Sequence, residues 1–177
     1  MGQPAVVAGA LAMAAYGYRR ETDDVDIALP IVISAPYGDS IENAARALGL
    51  TIRARHAFGG LDLRAGDARI GVITLDRDMP ALVPEAVQEA VASVRTMSLF
   101  SQRVFVVSLG HLIAMKLVAE RKKDIGDITE LIKARLESGL WAVDYAQVRS
   151  VVREHLGWYA VRALDSFVQV ARMELGL

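Results

Sequence analysis

The sequence predicts a mixed α/β fold of the α+β kind, a mixed sheet with flanking helices, followed by a C-terminal helical bundle. Short apolar runs with period-two alternation recur between residues 5 and 107. Turn signals rich in glycine and aspartate separate them. After Ser108 the pattern changes, and Leu109, Leu112, Ile113, Lys116, Leu117 and Glu120 fall on helical spacing. The 177 residues are therefore expected to form an α/β domain, residues 1–107, with a helical module, residues 108–177, packed against it.

The elements follow in order. Ala5–Gly9 reads as a short buried strand, and Leu11–Tyr16 as a short helix ending near Gly17. Val25–Ile33 is the next strand, because Val25, Ile27 and Leu29 alternate with Asp26 and Ala28. Tyr37–Ser40 reads as a turn offering a cap to a helix over Ile41–Leu48, which Gly49 stops. Thr51–Gly60, Leu61–Ala65 and Ala68–Leu75 read as strands, with Gly66-Asp67 as a two-residue hairpin turn between the last two. Pro80–Ser93 is a helix, and Arg95–Ser108 is mostly extended. Four helices complete the chain: one from Leu109 capped by Ser108, then Asp124–Leu136, Asp144–Glu154 and Trp158–Leu175.

Composition narrows the function. Apolar residues at 53% and charged residues at 23% exclude a disordered chain. A net charge of −1 argues against a surface coated for non-specific nucleic-acid or membrane binding, while leaving room for a local basic patch. With no cysteine, disulfides, thiolate metal sites and cysteine nucleophiles are excluded. His56, His111 and His155 lie far apart without ligand spacing, so they read as surface or boundary residues. Ala5–Ala15 is apolar, but Met1–Pro4 carries no Lys or Arg and the run is too short to span a bilayer. A cytoplasmic protein without a membrane anchor is expected.

Val6–Leu29 carries the most chemistry. A strand ends in a glycine turn, a short helix follows, and a second strand presents Asp24 and Asp26. Period two puts both carboxylates on one strand face, about 7 Å apart. Hard oxygen ligands at that spacing suit a divalent cation such as magnesium. Gly9, lacking a Cβ, lets backbone approach a phosphate closely.

This segment resembles the signature of polymerase-beta-type nucleotidyltransferases, and in detail the small bacterial branch of abortive-infection and type IV toxin nucleotidyltransferases. Gly9, Ala12, Gly17, Arg20, Thr22, Asp24 and Asp26 stand in the register of that pattern. Downstream, Lys116, Arg121, Asp124 and Asp127 match the branch's helical motif. The resemblance implies transfer of a nucleoside monophosphate from an NTP to a hydroxyl of RNA, protein or a small molecule, in a toxin–antitoxin setting. It implies Mg²⁺ or Mn²⁺ on Asp24 and Asp26, with phosphates cradled by Gly9 and the Ala10 amide. Lys116 and Arg20 would contact phosphate, and Thr22, Arg121, Asp124 and Asp127 would complete the nucleotide site. A tRNA or a partner protein is the implied acceptor, and a homodimer or an antitoxin complex the implied assembly.

Three positions depart from the pattern. Ala10 stands where the turn has its second glycine or serine, only four residues precede Ala5, and Gly71 stands where a third carboxylate belongs. If Gly66-Asp67 is the hairpin turn, Asp62 pairs with Gly71 on the face shared with Asp24 and Asp26, because Leu61, Leu63, Ile70 and Val72 claim the other face. Asp62 then extends over the space at Gly71 as a catalytic carboxylate, or is solvated, or pairs with Arg64 or Arg69 on the same face. Gly71→Asp is expected to restore the missing carboxylate. The alternative function is a catalytically weak or inactive protein of this fold that binds nucleotide, RNA or a partner chain. In simpler structural terms, Lys116 is a surface residue, Asp124 is an N-cap, and Trp141, Trp158 and Tyr159 are packing residues.

Overall fold

The structure is a computed structural model and describes residues 4–30, 37–55, 60–74, 81–99 and 101–177. The strand expected over 31–33 and His56 lie outside them. The chain forms two compact units. One comprises Met1–Ala12 and Arg20–Val107, the other Met13–Arg19 and Ser108–Leu177. Residues 13–19, read from sequence as part of the first domain, thus group with the helices.

The first unit is built on a seven-stranded mixed sheet. Its strands are β1 (Val6–Val7), β2 (Asp24–Ala28), β3 (Thr51–Arg55), β4 (Gly60–Ala65), β5 (Ala68–Ile73), β6 (Thr96–Leu99) and β7 (Gln102–Val106), in the order β3-β4-β5-β2-β1-β7-β6. β2 runs parallel to β5 and β1 parallel to β7, and the remaining neighbours are antiparallel. The β4–β5 hairpin pairs Ala65 with Ala68 across Gly66-Asp67, and Gly66 takes the positive φ (+60°) such a turn requires.

Alternation sorts this sheet into two faces. Ile27, Val72 and Leu61 form one lateral row, and Val25, Ile70, Leu63 and Ile52 the next. All of them but Val25 join Ala45 of α2 (Tyr37–Ala47) in an apolar cluster on one face. α2 starts at Tyr37, so residues 37–40 are its first turn and not the separate turn expected from sequence. Helix α3 (Leu82–Ala92) buries Leu82, Val83, Ala86, Val87 and Ala90 at three- and four-residue spacing.

In the second unit, α4 (Leu109–Ala119) and α5 (Lys122–Glu137) both pack on α6 (Trp141–Leu175). Ser108 caps α4, its side chain accepting from the His111 N–H. α6 is broken at Gly157 (φ 77°, ψ −175°), between the two helices expected from sequence. Tyr145 donates a hydrogen bond to Asp165. Twenty residues of continuous helix would hold those side chains about 30 Å apart. The chain therefore folds back at Gly157 into a helical hairpin. No helix among the described residues is long and apolar enough to cross a membrane.

Candidate functional site

The polar face of the sheet gathers four of the sequence-predicted residues. Asp26 on β2 pairs with Gly71 on β5, and Gly71 pairs in turn with Asp62 on β4. Directly paired residues share a face, so Asp26, Gly71 and Asp62 form one lateral row. Asp24 lies two residues along, in the row it shares with Arg69 and Arg64. The hairpin register thus brings Asp62 to the face of the Asp24–Asp26 pair, with Gly71 between Asp62 and Asp26. At a strand spacing near 4.8 Å, the Asp26 and Asp62 backbones stand about 10 Å apart.

Two glycines make room for the Asp26 carboxylate. A Cβ on Gly71 would stand 2.3 Å from Asp26 Oδ1, and one on Gly9 only 1.9 Å from Oδ2. Gly9 also has φ +57°, where a side chain is strained. The glycine after β1 therefore clears space for a carboxylate, besides beginning α1 (Gly9–Ala14). The same fact corrects the expectation for Gly71→Asp. A side chain at 71 cannot simply add a carboxylate, because Asp26 must first give way.

Thr22 holds the other acid. Its hydroxyl donates to Asp24 Oδ1, and the Asp24 N–H approaches the same hydroxyl at 3.5 Å. This local turn fixes the Asp24 side chain at the start of β2. Ala8 N–H donates to the Asp26 carbonyl, which ties the Gly9 turn to the same strand. Ala10 is buried, and Arg20 is half-buried with its Nη1 donating to the Glu21 carbonyl. Arg64 Nε donates to the Gly66 carbonyl at the hairpin turn.

The second motif lies in the second unit and forms a buried ion cluster. Lys116 Nζ donates to Asp124 Oδ1 at 3.0 Å and to Asp127 Oδ2 at 2.6 Å. Arg121 Nε donates to Asp124 Oδ2 at 2.6 Å. Lys116 is 6% exposed, and both aspartates are buried. Among these four groups, two cations face two anions. Burial pushes the Asp124 carboxyl up, but hydrogen bonds from Arg121 and Lys116 outweigh it and hold the group below the usual carboxylate range. The geometry follows from Glu120, whose left-handed conformation (φ 48°) turns the chain from the last turn of α4 into the first of α5. Lys116 is not a surface residue. The N-cap of α5 is Arg121, not Asp124.

Sequence reasoning missed this burial, although its signal was present. Lys116 continues the stripe of Leu109, Leu112 and Ile113, while Asp124 and Asp127 continue that of Ile128 and Leu131. His111 is likewise buried, with Ser108 Oγ 2.8 Å from its Nδ1 and the His155 ring 5.7 Å away, so it is not a surface residue. Trp141 is a packing residue, but Trp158 and Tyr159 are exposed.

No protein-family profile matches the chain. No curated protein matches it either. Similar solved structures include the antibiotic-resistance factor ANT(2'')-Ia, at 16% identity and a TM-score of 0.46, over 98% of this chain and 86% of that one. Another is an antigenic nucleotidyltransferase-like protein from Paracoccidioides brasiliensis, at 15% identity and a TM-score of 0.42, over 89% of this chain and 87% of that one.

Proposed function

We propose that the chain is a metal-dependent nucleotidyltransferase that moves a nucleoside monophosphate from an NTP to a hydroxyl acceptor. The observation that carries this reading is the row of Asp26, Gly71 and Asp62, with Asp24 on the same face of the sheet. In the signature the sequence resembles, a third carboxylate lies on a later strand, whose counterpart here is β5, beside β2. Here that strand carries Gly71, and Asp62 faces it from the next strand over.

The residues fit a hard divalent cation, since Asp24, Asp26 and Asp62 offer carboxylate oxygens and no softer donor. Asp24 and Asp26 would hold Mg²⁺ or Mn²⁺, with Asp62 as the third carboxylate. When bound, the cation supplies charge neutralisation at the triphosphate. Thr22 orients the Asp24 carboxylate, while Gly9 and Gly71 leave the space in which Asp26 sits. Gly9 and the Ala10 amide would lie along the phosphates, and Arg20 would add a positive charge near them. Lys116, Arg121, Asp124 and Asp127, assigned to nucleotide by resemblance, have first a structural task in joining α4 to α5. A toxin role and a cytoplasmic setting belong to the same reading.

Calorimetric titration of NTP with Mg²⁺, alongside transfer of label from an α-labelled NTP, tests the proposal. Asp24→Ala and Asp26→Ala should each abolish metal-dependent NTP binding with the fold retained. If both bind NTP and Mg²⁺ as the parent does, the site is misassigned. Gly71 in the third carboxylate position favours a second reading, a nucleotide-binding module without transferase activity. Thermal stabilisation by NTP with Mg²⁺ but no transfer of label would select it.

A further inference from the structure

We infer that the hairpin of α6 carries a binding groove for single-stranded nucleic acid, built on Arg149, Arg153 and Trp158. This groove lies wholly within the second unit and is independent of the aspartate site and of nucleotide transfer.

Tyr145, Ala146, Arg149, Ser150 and Arg153 line an open groove of about 370 Å³ on α6. Arg149 and Arg153 lie one helical turn apart, with their guanidinium carbons 5.2 Å and 5.7 Å from the Trp158 ring centroid. The fold-back at Gly157 makes this possible by returning Trp158 to the first half of the hairpin. Trp158 is 57% exposed and the adjacent Tyr159 is 86% exposed.

Asp144 pairs with Arg135, and Asp165 accepts from the hydroxyl of Tyr145, which lines the groove. Among the described residues, neither Arg149 nor Arg153 forms an ion pair. The two arginines are thus held on the indole, with Arg149 also against the Tyr145 hydroxyl. Guanidinium groups match phosphate in charge and in their fork of donors. The exposed indole edge and the guanidinium planes over the ring offer surfaces on which an unpaired base stacks. A duplex keeps its bases stacked internally and cannot use those surfaces. A plain polyanion has no base to offer them. Single-stranded nucleic acid satisfies both halves of the groove.

Fluorescence anisotropy with a labelled single-stranded oligoribonucleotide of about ten nucleotides tests the assignment. The parent should bind with an affinity that falls as salt rises. Replacing both Arg149 and Arg153 by Ala should weaken binding and reduce the log–log salt slope by about 1.4, the release expected for two phosphates. Trp158→Ala should weaken binding about tenfold, Trp158→Phe should recover part of the loss, and both variants should melt as the parent does. Absence of binding at low salt, an unchanged slope in the double variant, or equal affinity for a duplex or for heparin would each overturn the proposal.

Discussion

Asp26 extends its carboxylate over Gly71, its ladder partner on β5, into space that a side chain at position 71 would fill. The acid on one strand is thus accommodated by the absence of a side chain on the next. Gly9 provides the same clearance from the other side, and Asp62 faces Gly71 from β4.

Steric change at these glycines should therefore act on the acid. Gly71→Ala places a Cβ 2.3 Å from Asp26 Oδ1 and turns that carboxylate aside. The expected stability loss is about 1 kcal/mol, the cost of an off-rotamer side chain. Mn²⁺ affinity should fall by about 10-fold or more, as when the support of a metal ligand is removed. Gly9→Ala should be more disruptive, because its Cβ meets Asp26 Cβ at 2.8 Å and its φ is positive. Mn²⁺ titration followed by electron paramagnetic resonance, with thermal melts, checks both.

Asp62→Asn removes a negative charge while keeping the shape. If Asp62 is the third carboxylate, Mn²⁺ binding should weaken and label transfer should fall, with the melting temperature nearly unchanged. Parental values for both would take Asp62 out of the metal site.

The Lys116 cluster should govern the stability of the helical unit. Lys116→Met leaves Asp124 and Asp127 buried without their ammonium, and removing one partner of a buried ion pair costs about 3–5 kcal/mol. Chemical denaturation monitored by far-ultraviolet circular dichroism reads this loss.

Asp124 adds a pH dependence with a definite sign. Its carboxyl sits below the usual range in the folded state, so the unfolded chain takes up the proton first as pH falls. The stabilisation is complete above the unfolded-state value, near pH 4, and is lost as pH drops through the lower folded value. Asp124→Asn should flatten the acid limb of the stability profile. An unchanged limb would assign the acid sensitivity to other carboxylates.

Tyr145 closes the α6 hairpin. The hydrogen bond it donates to Asp165 is the largest cause holding its phenol above the ordinary value, with burial acting in the same direction. A raised folded value gives stability present below the unfolded value, near pH 10, and lost as pH rises through the folded one. Tyr145→Phe should cost about 1 kcal/mol and remove this alkaline loss, read from melting temperatures between neutral and alkaline pH.

Much of the site's local geometry was legible in the residues themselves. The alternation of Leu61, Leu63, Ile70 and Val72 around a two-residue Gly66-Asp67 turn admits one register, since a slip by one residue would expose the apolar set. That register sets Asp62 opposite Gly71. The same period-two reasoning puts Asp24 and Asp26 on one face. The burial of Lys116 was harder to read, because a lysine on an apolar stripe is ordinarily solvated at its tip. Only the return of the chain through Glu120 brings two buried carboxylates to it.

The sequence by itself determined the order and type of most elements, the two faces of the β4–β5 hairpin, and the break before Trp158. These depend on interactions between near neighbours, whose spacing is written in the chain. Tertiary structure decided that β2 lies parallel beside β5, which alone sets Asp26 next to Gly71 and carries Asp62 into its row. It also decided that the halves of α6 fold back, joining Tyr145 to Asp165 and leaving Trp158 exposed beneath two arginines. Such pairings join residues distant in sequence. They are selected by the packing of whole faces against one another, and no local pattern encodes them.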